Sequence, residues 1–182
     1  MEAEMEEPVI EFRSVEMAFG PKVVLDHVSF QVAKGETLAV IGPSGTGKST
    51  VLKLLIGLLK PQGGSILIQG HAVEKYTEEQ WNRLRQHMGM VFQYSALFDF
   101  LDVGENVAFG LRQHTHMAES QIQERVAGLL EAVGLSGNEH VYSAQLSGGM
   151  QKRVGLARAL ALKPDIILYD EPTAGLDPIM AT

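Results

Sequence analysis

Residues Gly42 to Ser49 combine glycines, a lysine and hydroxyl side chains at a spacing suited to holding phosphate groups. They read Gly-Pro-Ser-Gly-Thr-Gly-Lys-Ser and fit the phosphate-loop pattern G-x-x-x-x-G-K-[ST]. Glycines let backbone N–H groups approach phosphate oxygens, and a following helix adds the positive end of its dipole. Lys48 would neutralise the β- and γ-phosphates of a nucleotide, and the Ser49 hydroxyl would ligate Mg²⁺. A glycine-rich turn is the alternative interpretation.

The segments on either side of this loop favour the phosphate-binding interpretation. Thr37–Ile41 is uniformly apolar apart from its threonine and predicts a buried central strand. A helix is predicted from Gly47 to about Leu59, where Lys60 and Pro61 follow. A loop that joins a buried strand to a helix start is the context in which the pattern binds phosphate.

A second group of chemistry-bearing residues follows the apolar run Ile166–Tyr169, which predicts a buried strand. Asp170 and Glu171 come directly after it. A carboxylate at the end of a core strand can reach the Mg²⁺ shell, and Glu171 can act as the general base that polarises the attacking water. Alone, Asp170 is better interpreted as a helix or turn cap. The phosphate loop makes the metal-binding role the stronger hypothesis.

Ser147, Gly148 and Gly149 form a third feature, at a predicted helix start. Glycine is a poor residue for a first helical turn, and a Ser-Gly-Gly run there presents backbone N–H donors to an anion. One nucleotide has no need of two phosphate cradles. We therefore interpret this cradle as serving the nucleotide of a second subunit; a capped helix start with two glycines is the alternative.

The remaining pattern predicts an α/β chain with a helical middle. Alternation or short apolar runs predict strands at Val9–Glu16, Val28–Val32, Ser65–Ile68 and Met88–Gln93. Thr77 and Asp102 are predicted helix caps, and a stripe on the segment before Leu135 comprises Ile122, Val126, Leu129, Leu130 and Val133.

Composition limits the classes of function. The 182 residues are 45% hydrophobic, which is ordinary for a globular protein. Their net charge of −7 argues against binding nucleic acid through broad electrostatic attraction. There is no cysteine, so disulfides and cysteine metal sites are excluded. We predict no signal peptide and no membrane-spanning segment. His114 and His116 are interpreted as exposed loop residues rather than metal ligands.

Taken in order, these motifs resemble those of the ATP-binding cassette (ABC) ATPases over about Val9 to Pro178. The resemblance implies a phosphate-loop nucleotide-binding core with a parallel-rich sheet, an N-terminal antiparallel β subdomain and a helical insertion. It implies one domain over residues 1–182, with a core at about 8–92 plus 160–182 and an insertion at about 93–159. The motifs that carry it are Gly42–Ser49, Gln93, Leu146–Gln151, Ile166–Glu171 and Ala174–Asp177.

The resemblance also implies a role for each matching residue, with ATP and Mg²⁺ as ligands. Phe19 matches the aromatic that stacks on adenine, with Val24 nearby. Gln93 matches the glutamine that senses Mg²⁺ and water, Glu171 the catalytic base, and Asp177 an acid that communicates across the dimer. Ser49 and Asp170 complete the metal set, and Ser147, Gly148 and Gly149 complete the opposite subunit's site. The phosphate-binding set is Gly42, Pro43, Ser44, Gly45, Thr46, Gly47, Lys48, Ser49 and Thr50.

Met150 with Gln151 after it, and the stretch Met90–Phe98 that continues to Val103–Val107, are similar to the ATPases of the maintenance-of-lipid-asymmetry (Mla) importers. That similarity implies a homodimer at the cytoplasmic face of the inner membrane, bound to permease subunits and served by a lipid-binding substrate protein, without nucleic acid. A non-transport ABC ATPase of repair or translation is a weaker alternative. The family's histidine after the catalytic glutamate has no counterpart before Thr182. We therefore expect this chain to lack the domain's C-terminal part, to bind ATP weakly and to turn over poorly, and a truncated non-hydrolysing domain stays open.

Overall fold

The structure, a computed structural model, describes residues 7–171 and divides into two units, Met1–Asn82 and Arg83–Thr182. The first unit is built on an antiparallel sheet of strand order β2-β1-β3-β4. Its strands are β1 (Ile10–Phe19), β2 (Lys22–Val32), β3 (Gly63–Ile68) and β4 (His71–Ala72). β1 pairs with β2 on one side and with β3 on the other, and β4 continues the sheet beyond β3.

Alternation of apolar and polar residues explains which face of this sheet is buried. Phe12 and Val15 on β1 and Ile66 and Ile68 on β3 are almost fully buried, while the residues between them are half-buried or exposed. The Phe12 and Phe30 rings stack across β1 and β2 with centroids 4.4 Å apart. This buried face anchors the hairpin whose tip carries Phe19.

Two helices belong to this part of the chain, α1 (Lys48–Leu55) and α2 (Glu78–Gln86), and the first unit ends within α2. The predicted cap of α2 is confirmed, because Gln80 N–H donates to Thr77 Oγ1 and Thr77 N–H donates to Gln80 Oε1. The prediction that α1 would run from Gly47 to Leu59 is wrong. Gly47 is its N-cap, and the helix stops before Gly57, which has a φ of 72°.

The predicted buried strand at Thr37–Ile41 is also wrong. These residues have no regular secondary structure, and the side chains of Leu38 and Ile41 are 44% and 92% exposed. An apolar run becomes a strand only where another strand satisfies its backbone N–H and C=O groups. Within residues 7–171, no strand pairs with this run.

The second unit combines a parallel strand pair with a helical region. β5 (Met88–Val91) and β6 (Ile166–Tyr169) pair in parallel, and the intervening chain forms α3 (Val103–His114), α4 (Glu119–Ala132) and α5 (Gly148–Leu160). Asp102 caps α3 as predicted, accepting from Glu105 N–H at 2.7 Å. The helical core includes Val103, Val107, Leu111, Ile122, Val126, Leu129, Leu130 and Val154, with Val133 packed against it.

The strand predictions in this unit need two corrections. β5 ends at Val91 rather than Gln93, because the chain turns there and Ser95 N–H donates to Phe92 O at 3.0 Å. β6 has the predicted bounds, but only Ile166 and Leu168 are buried, since its other face is partly open to solvent. The antiparallel sheet, the parallel pair and the helical middle together confirm the predicted α/β class.

His114 ends α3 and His116 lies in the loop that follows, both with exposed side chains. Over residues 7–171, no group of three or more histidine, aspartate or glutamate side chains is arranged to hold a metal ion. No helix in that range has both the length and the apolar character needed to cross a bilayer. The motif residues Ala174–Asp177 lie outside the described residues.

Candidate nucleotide site

The loop Gly42–Ser49 takes a conformation that its glycines make possible. Gly45 and Gly47 have φ values of 79° and 102°, in the left-handed region that side chains disfavour. Helix α1 begins at Lys48, directly after Gly47. Backbone N–H groups of the first helical turn have no partner within a helix, so they are donors suited to an anion. The loop's exposed residues therefore lead into a helix start with phosphate-binding character.

Gly47 is also packed against β2. A Cβ at this position would lie 2.8 Å from Val24 Cγ1 and 3.1 Å from the Val24 carbonyl oxygen. The first distance is shorter than real Cβ contacts and the second is unusually tight, so both the space and the φ value favour glycine here. Val24, predicted to lie near the nucleotide base, is thus in direct contact with the end of the phosphate loop.

The Lys48 side chain folds back over the loop that precedes it. Its Nζ donates to the carbonyl oxygens of Gly42 and Pro43, each at 2.8 Å, and Thr46 Oγ1 donates to Pro43 O at 2.9 Å. The ammonium group is therefore held over the loop beside the helix N-terminus. A cation and a set of backbone donors at one place match the charge and geometry of a polyphosphate.

Phe19 is connected to this loop through Lys22, its partner across the hairpin. It ends β1, pairs with Lys22 on β2, and has 48% of its surface exposed. Lys22 Nζ in turn donates to the Gly45 carbonyl oxygen at 3.4 Å. The structure thus places the predicted adenine-stacking ring in the same unit as the phosphate loop. Lys22 was not predicted as a site residue from the sequence. A basic residue opposite Phe19 in a tight hairpin is the feature that could have predicted it.

The two predicted residues of the hydrolytic chemistry meet in the second unit. Gln93 Nε2 donates to Glu171 Oε2 at 2.9 Å. Asp170 N–H donates to Val91 O at 3.0 Å, which extends the β5–β6 pairing by one bond and places Asp170 at the strand end. Glu171 has a φ of 50°, a conformation that side chains rarely adopt and that marks a constrained turn.

Ser147 caps α5, since its Oγ accepts from Met150 N–H at 3.3 Å. A Cβ added to Gly148 or Gly149 would meet nothing within 4 Å. Among residues 7–171, packing therefore requires neither glycine, and both have exposed backbone at a helix start. Gly149 lines a pocket of about 350 Å³ with Gln93 and Glu171, a proximity that the sequence did not predict.

The donor types of the predicted metal residues suit Mg²⁺. Ser49 supplies a hydroxyl oxygen, Gln93 an amide oxygen and Asp170 a carboxylate, and Mg²⁺ prefers oxygen ligands. Gln93 uses its amide nitrogen toward Glu171, so its amide oxygen Oε1 is the atom suited to a cation. The chemistry of the set fits the ion.

Comparison with known proteins identifies the family and the fold. The ABC transporter profile (ABC_tran) matches residues 25–174. The chain is 50% identical over 182 residues to the protein trigalactosyldiacylglycerol 3, chloroplastic, of Arabidopsis thaliana. It is 44% identical over 175 residues to the intermembrane phospholipid transport system ATP-binding protein MlaF of Haemophilus influenzae. These alignments cover 96% of this chain and, respectively, 52% and 66% of the two relatives, so the chain spans about half to two thirds of their length.

A solved structure with a similar fold is the dimeric, post-hydrolysis ATP-binding cassette MJ0796 bound to ADP and Pi. The match has a TM-score of 0.83 and 31% identity, and covers 93% of this chain and 77% of the other. This likeness confirms the predicted phosphate-loop nucleotide-binding fold. Since the family profile spans most of the sequence, the chain belongs to the ABC transporter family.

Proposed function

We propose that this chain is the ATP-binding and ATP-hydrolysing subunit of an ABC transporter. The observation that carries the proposal is the 2.9 Å hydrogen bond from Gln93 to Glu171, because it orients a carboxylate at the end of a core strand. A carboxylate held in that way suits a general base. We further propose that residues 1–182 form a single nucleotide-binding domain, with a core at about 8–92 plus 160–182 and a helical insertion at about 93–159.

The first unit would bind the nucleotide. Phe19 would stack on the adenine ring with Val24 beside it, and Gly42–Ser49 with Thr50 would surround the phosphates. Lys48 would offset the negative charge of the β- and γ-phosphates. The left-handed glycines and the close Gly47–Val24 contact support these roles, because they hold the loop's backbone in a shape suited to anion binding.

The second unit would carry out the hydrolysis. Glu171 would accept a proton from the attacking water at a carboxylate oxygen, while Gln93 holds the other oxygen by its Nε2–H donor. Mg²⁺, held by Ser49, Gln93 and Asp170, would supply charge neutralisation on the phosphate oxygens when bound. Fixing one carboxylate oxygen leaves the other to face water in a defined direction, which favours proton transfer.

Ser147, Gly148 and Gly149 would complete the site of a second copy of the chain. Their exposure supports an outside ligand at this helix start, as does the lack of any packing need for the two glycines in the part of the chain that the structure describes. The dimeric state of the similar cassette MJ0796 supports the same arrangement. In such a homodimer, closure over ATP would drive the membrane permease subunits to which the chain binds from the cytoplasmic face.

Phospholipid or a related lipid is the cargo we propose, delivered or received by a lipid-binding substrate protein. Identity of 44% to an ATPase named for intermembrane phospholipid transport supports this choice. A relative at 50% identity is named for a galactolipid, which points to the same class of cargo.

The test begins with the intact protein co-purified with its permease and reconstituted into liposomes. We expect ATP-dependent movement of labelled phospholipid. Lys48→Ala should abolish this activity and weaken ATP binding at least about tenfold, which is a loss of about 1.4 kcal/mol. Lys53→Ala, on the exposed face of the same helix, should leave both unchanged. A sugar- or metal-type permease, or equal binding by the Lys48 variant, would contradict the proposal.

A further inference from the structure

The loop that follows Gln93 contains two adjacent residues with left-handed backbone. Ser95 and Ala96 have φ values of 60° and 45°, and neither is glycine. The local hydrogen bonds of this turn run from Ser95 N–H to Phe92 O at 3.0 Å and from Ala96 N–H to Tyr94 O at 2.6 Å. Side chains disfavour this backbone region, so two such residues in succession need support from elsewhere in the fold.

Arg158, in the last turn of α5, supplies that support. Its Nη2 donates to Ser95 O at 2.8 Å and its Nη1 donates to Ala96 O at 2.7 Å. Its guanidinium carbon lies 5.8 Å from the centroid of the Phe98 ring, further along the same loop. One planar group therefore fixes two consecutive carbonyls in the turn, which a lysine ammonium cannot do with the same geometry.

The helix that carries Arg158 also packs directly on the turn. A Cβ on Gly155 would lie 3.5 Å from Ser95 Cα, and Ser95 itself is only 3% exposed. Burial lowers the pKa of Arg158, so the guanidinium is partly withdrawn from water. Hydrogen bonds from such a desolvated charge are stronger than those of a surface arginine.

We propose that Arg158 is a positioning residue that holds the Ser95–Ala96 turn so that Gln93 reaches Glu171. The contacts form a continuous path from the guanidinium through the turn to Gln93 and then to Glu171. Because Arg158 lies on the helix that Ser147 caps, the same path joins the Ser-Gly-Gly helix start to the candidate base. This inference rests on the proposed ATPase function for its consequence in catalysis, but the positioning itself is testable without ATP.

The first experiment measures amide hydrogen exchange in the intact protein without nucleotide. Arg158→Met should speed exchange of the Ser95 and Ala96 amides by about tenfold or more, since the turn loses its external hydrogen bonds. Arg158→Lys should give a smaller increase. The matched control is Arg125→Met, because Arg125 also donates to two consecutive carbonyls, those of Leu160 and Ala161, at 3.3 and 3.4 Å. It should leave exchange at Ser95 and Ala96 unchanged.

The second experiment measures steady-state ATP hydrolysis by the same variants. Arg158→Met should lower kcat by about 10- to 100-fold with KM for ATP within about twofold, because misplacement of a catalytic group costs rate rather than binding. Adding Ala96→Gly should restore part of the lost kcat, since glycine adopts the left-handed backbone without an external bond. The same substitution should give no gain in the Arg125→Met background.

Amide exchange and ATP hydrolysis together distinguish a failure of the positioning role from a failure of the proposed function. Unchanged exchange at Ser95 and Ala96 in Arg158→Met would overturn the positioning role, whatever the activity. Faster exchange together with no ATP hydrolysis by the unmodified protein would contradict the proposed function and leave the positioning role standing. Equal losses of kcat in the Arg158 and Arg125 variants, without rescue by Ala96→Gly, would show a general structural role and would also overturn the proposal.

Discussion

Gln93 Nε2 lies 2.9 Å from Glu171 Oε2, although the two residues are 78 positions apart in the chain. The register of the parallel pair explains the meeting. Val91 pairs with Tyr169, and Gln93 and Glu171 each come two residues beyond that pair. In parallel strands, residues that are equally far along the chain beyond a paired position lie at the same edge of the sheet. This register therefore brings the Gln93 amide to the Glu171 carboxylate.

Glu171→Gln is the direct test of the general base. We expect kcat for ATP hydrolysis to fall by about 10²- to 10⁴-fold, because the amide cannot accept the proton from water. The equilibrium affinity for ATP should stay within about twofold of the unmodified protein, since shape and volume are preserved. Single-turnover hydrolysis and nucleotide-binding titrations measure the two quantities, and a dimer trapped by ATP should elute early on size exclusion.

The control for this prediction is Glu131→Gln, an exposed glutamate on α4. It should hydrolyse ATP at the unmodified rate. Undiminished hydrolysis by the Glu171 variant would remove that carboxylate from the catalytic role.

Local chemistry in the sequence predicted the helix starts and the last strand well. Asp102 and Ser147 cap their helices as their residue types indicate, and β6 spans Ile166–Tyr169 as predicted. These features depend on neighbours within a few positions. The Gln93–Glu171 contact depends on a strand register between distant segments, and the sequence carried no local sign of that register.

The sequence predictions that failed also depend on contacts between distant parts of the chain. The run Thr37–Ile41 has the composition of a buried strand, but strand formation requires a partner that residue composition does not specify. The early end of α1 comes from tertiary packing at Gly57, where a Cβ would lie 2.4 Å from the Trp81 ring. Arg158 was missed because arginine in a helix commonly faces solvent, and only the folded chain brings it to Ser95 and Ala96.

Gly47→Ala adds only one methyl group, but we expect it to distort the phosphate loop. The new methyl group would collide with Val24, and the residue would be held at a φ of 102°. We expect the free energy of unfolding to fall by about 1 to 3 kcal/mol, from left-handed strain and overpacking. ATP affinity should fall at least about tenfold because the loop must shift from its anion-binding shape. Chemical denaturation and nucleotide titration measure these changes.

Gly128→Ala is the matched control, since no atom of the described residues lies within 4 Å of a Cβ at that position in α4. It should raise the free energy of unfolding by about 0.5 to 1 kcal/mol, because alanine favours the helix interior. An ATP affinity unchanged in both variants would contradict the requirement for glycine at position 47.

Asn106→Ala should destabilise the helical region strongly. The Asn106 side chain is fully buried, and its amide donates to the carbonyls of Phe98, Leu101 and Asp102 and accepts from Phe98 N–H. Removing it deletes these four hydrogen bonds of a buried side chain, so we expect the free energy of unfolding measured by urea denaturation to fall by about 2 to 4 kcal/mol. Asn138→Ala should cost less than about 1 kcal/mol, because its bonds are longer, at 3.2 and 3.3 Å. Equal losses would contradict this account of Asn106.

Arg112 on α3 forms ion pairs that reach the start of α4, so its contribution to thermal stability should depend on pH and salt. Its guanidinium bonds Glu119 at 2.7 and 3.1 Å and also bonds Glu105. The hydrogen bond from Arg112 lowers the pKa of Glu119 from its usual value of 4.5. A carboxyl with a lowered folded-state pKa stabilises the fold above its unfolded pKa and loses that effect as pH falls through the folded value.

Arg112→Met should therefore lower Tm at pH 7 by a few degrees, about 2 to 4 °C, and the difference from the unmodified protein should shrink below about pH 4. High salt should reduce it as well, because these side chains are partly exposed to solvent. In a Glu119→Gln background the same arginine substitution should cost less at pH 7, since part of its pairing is already lost. A Tm difference that is constant from pH 7 to pH 3 would assign Arg112 a packing role instead of a charge role.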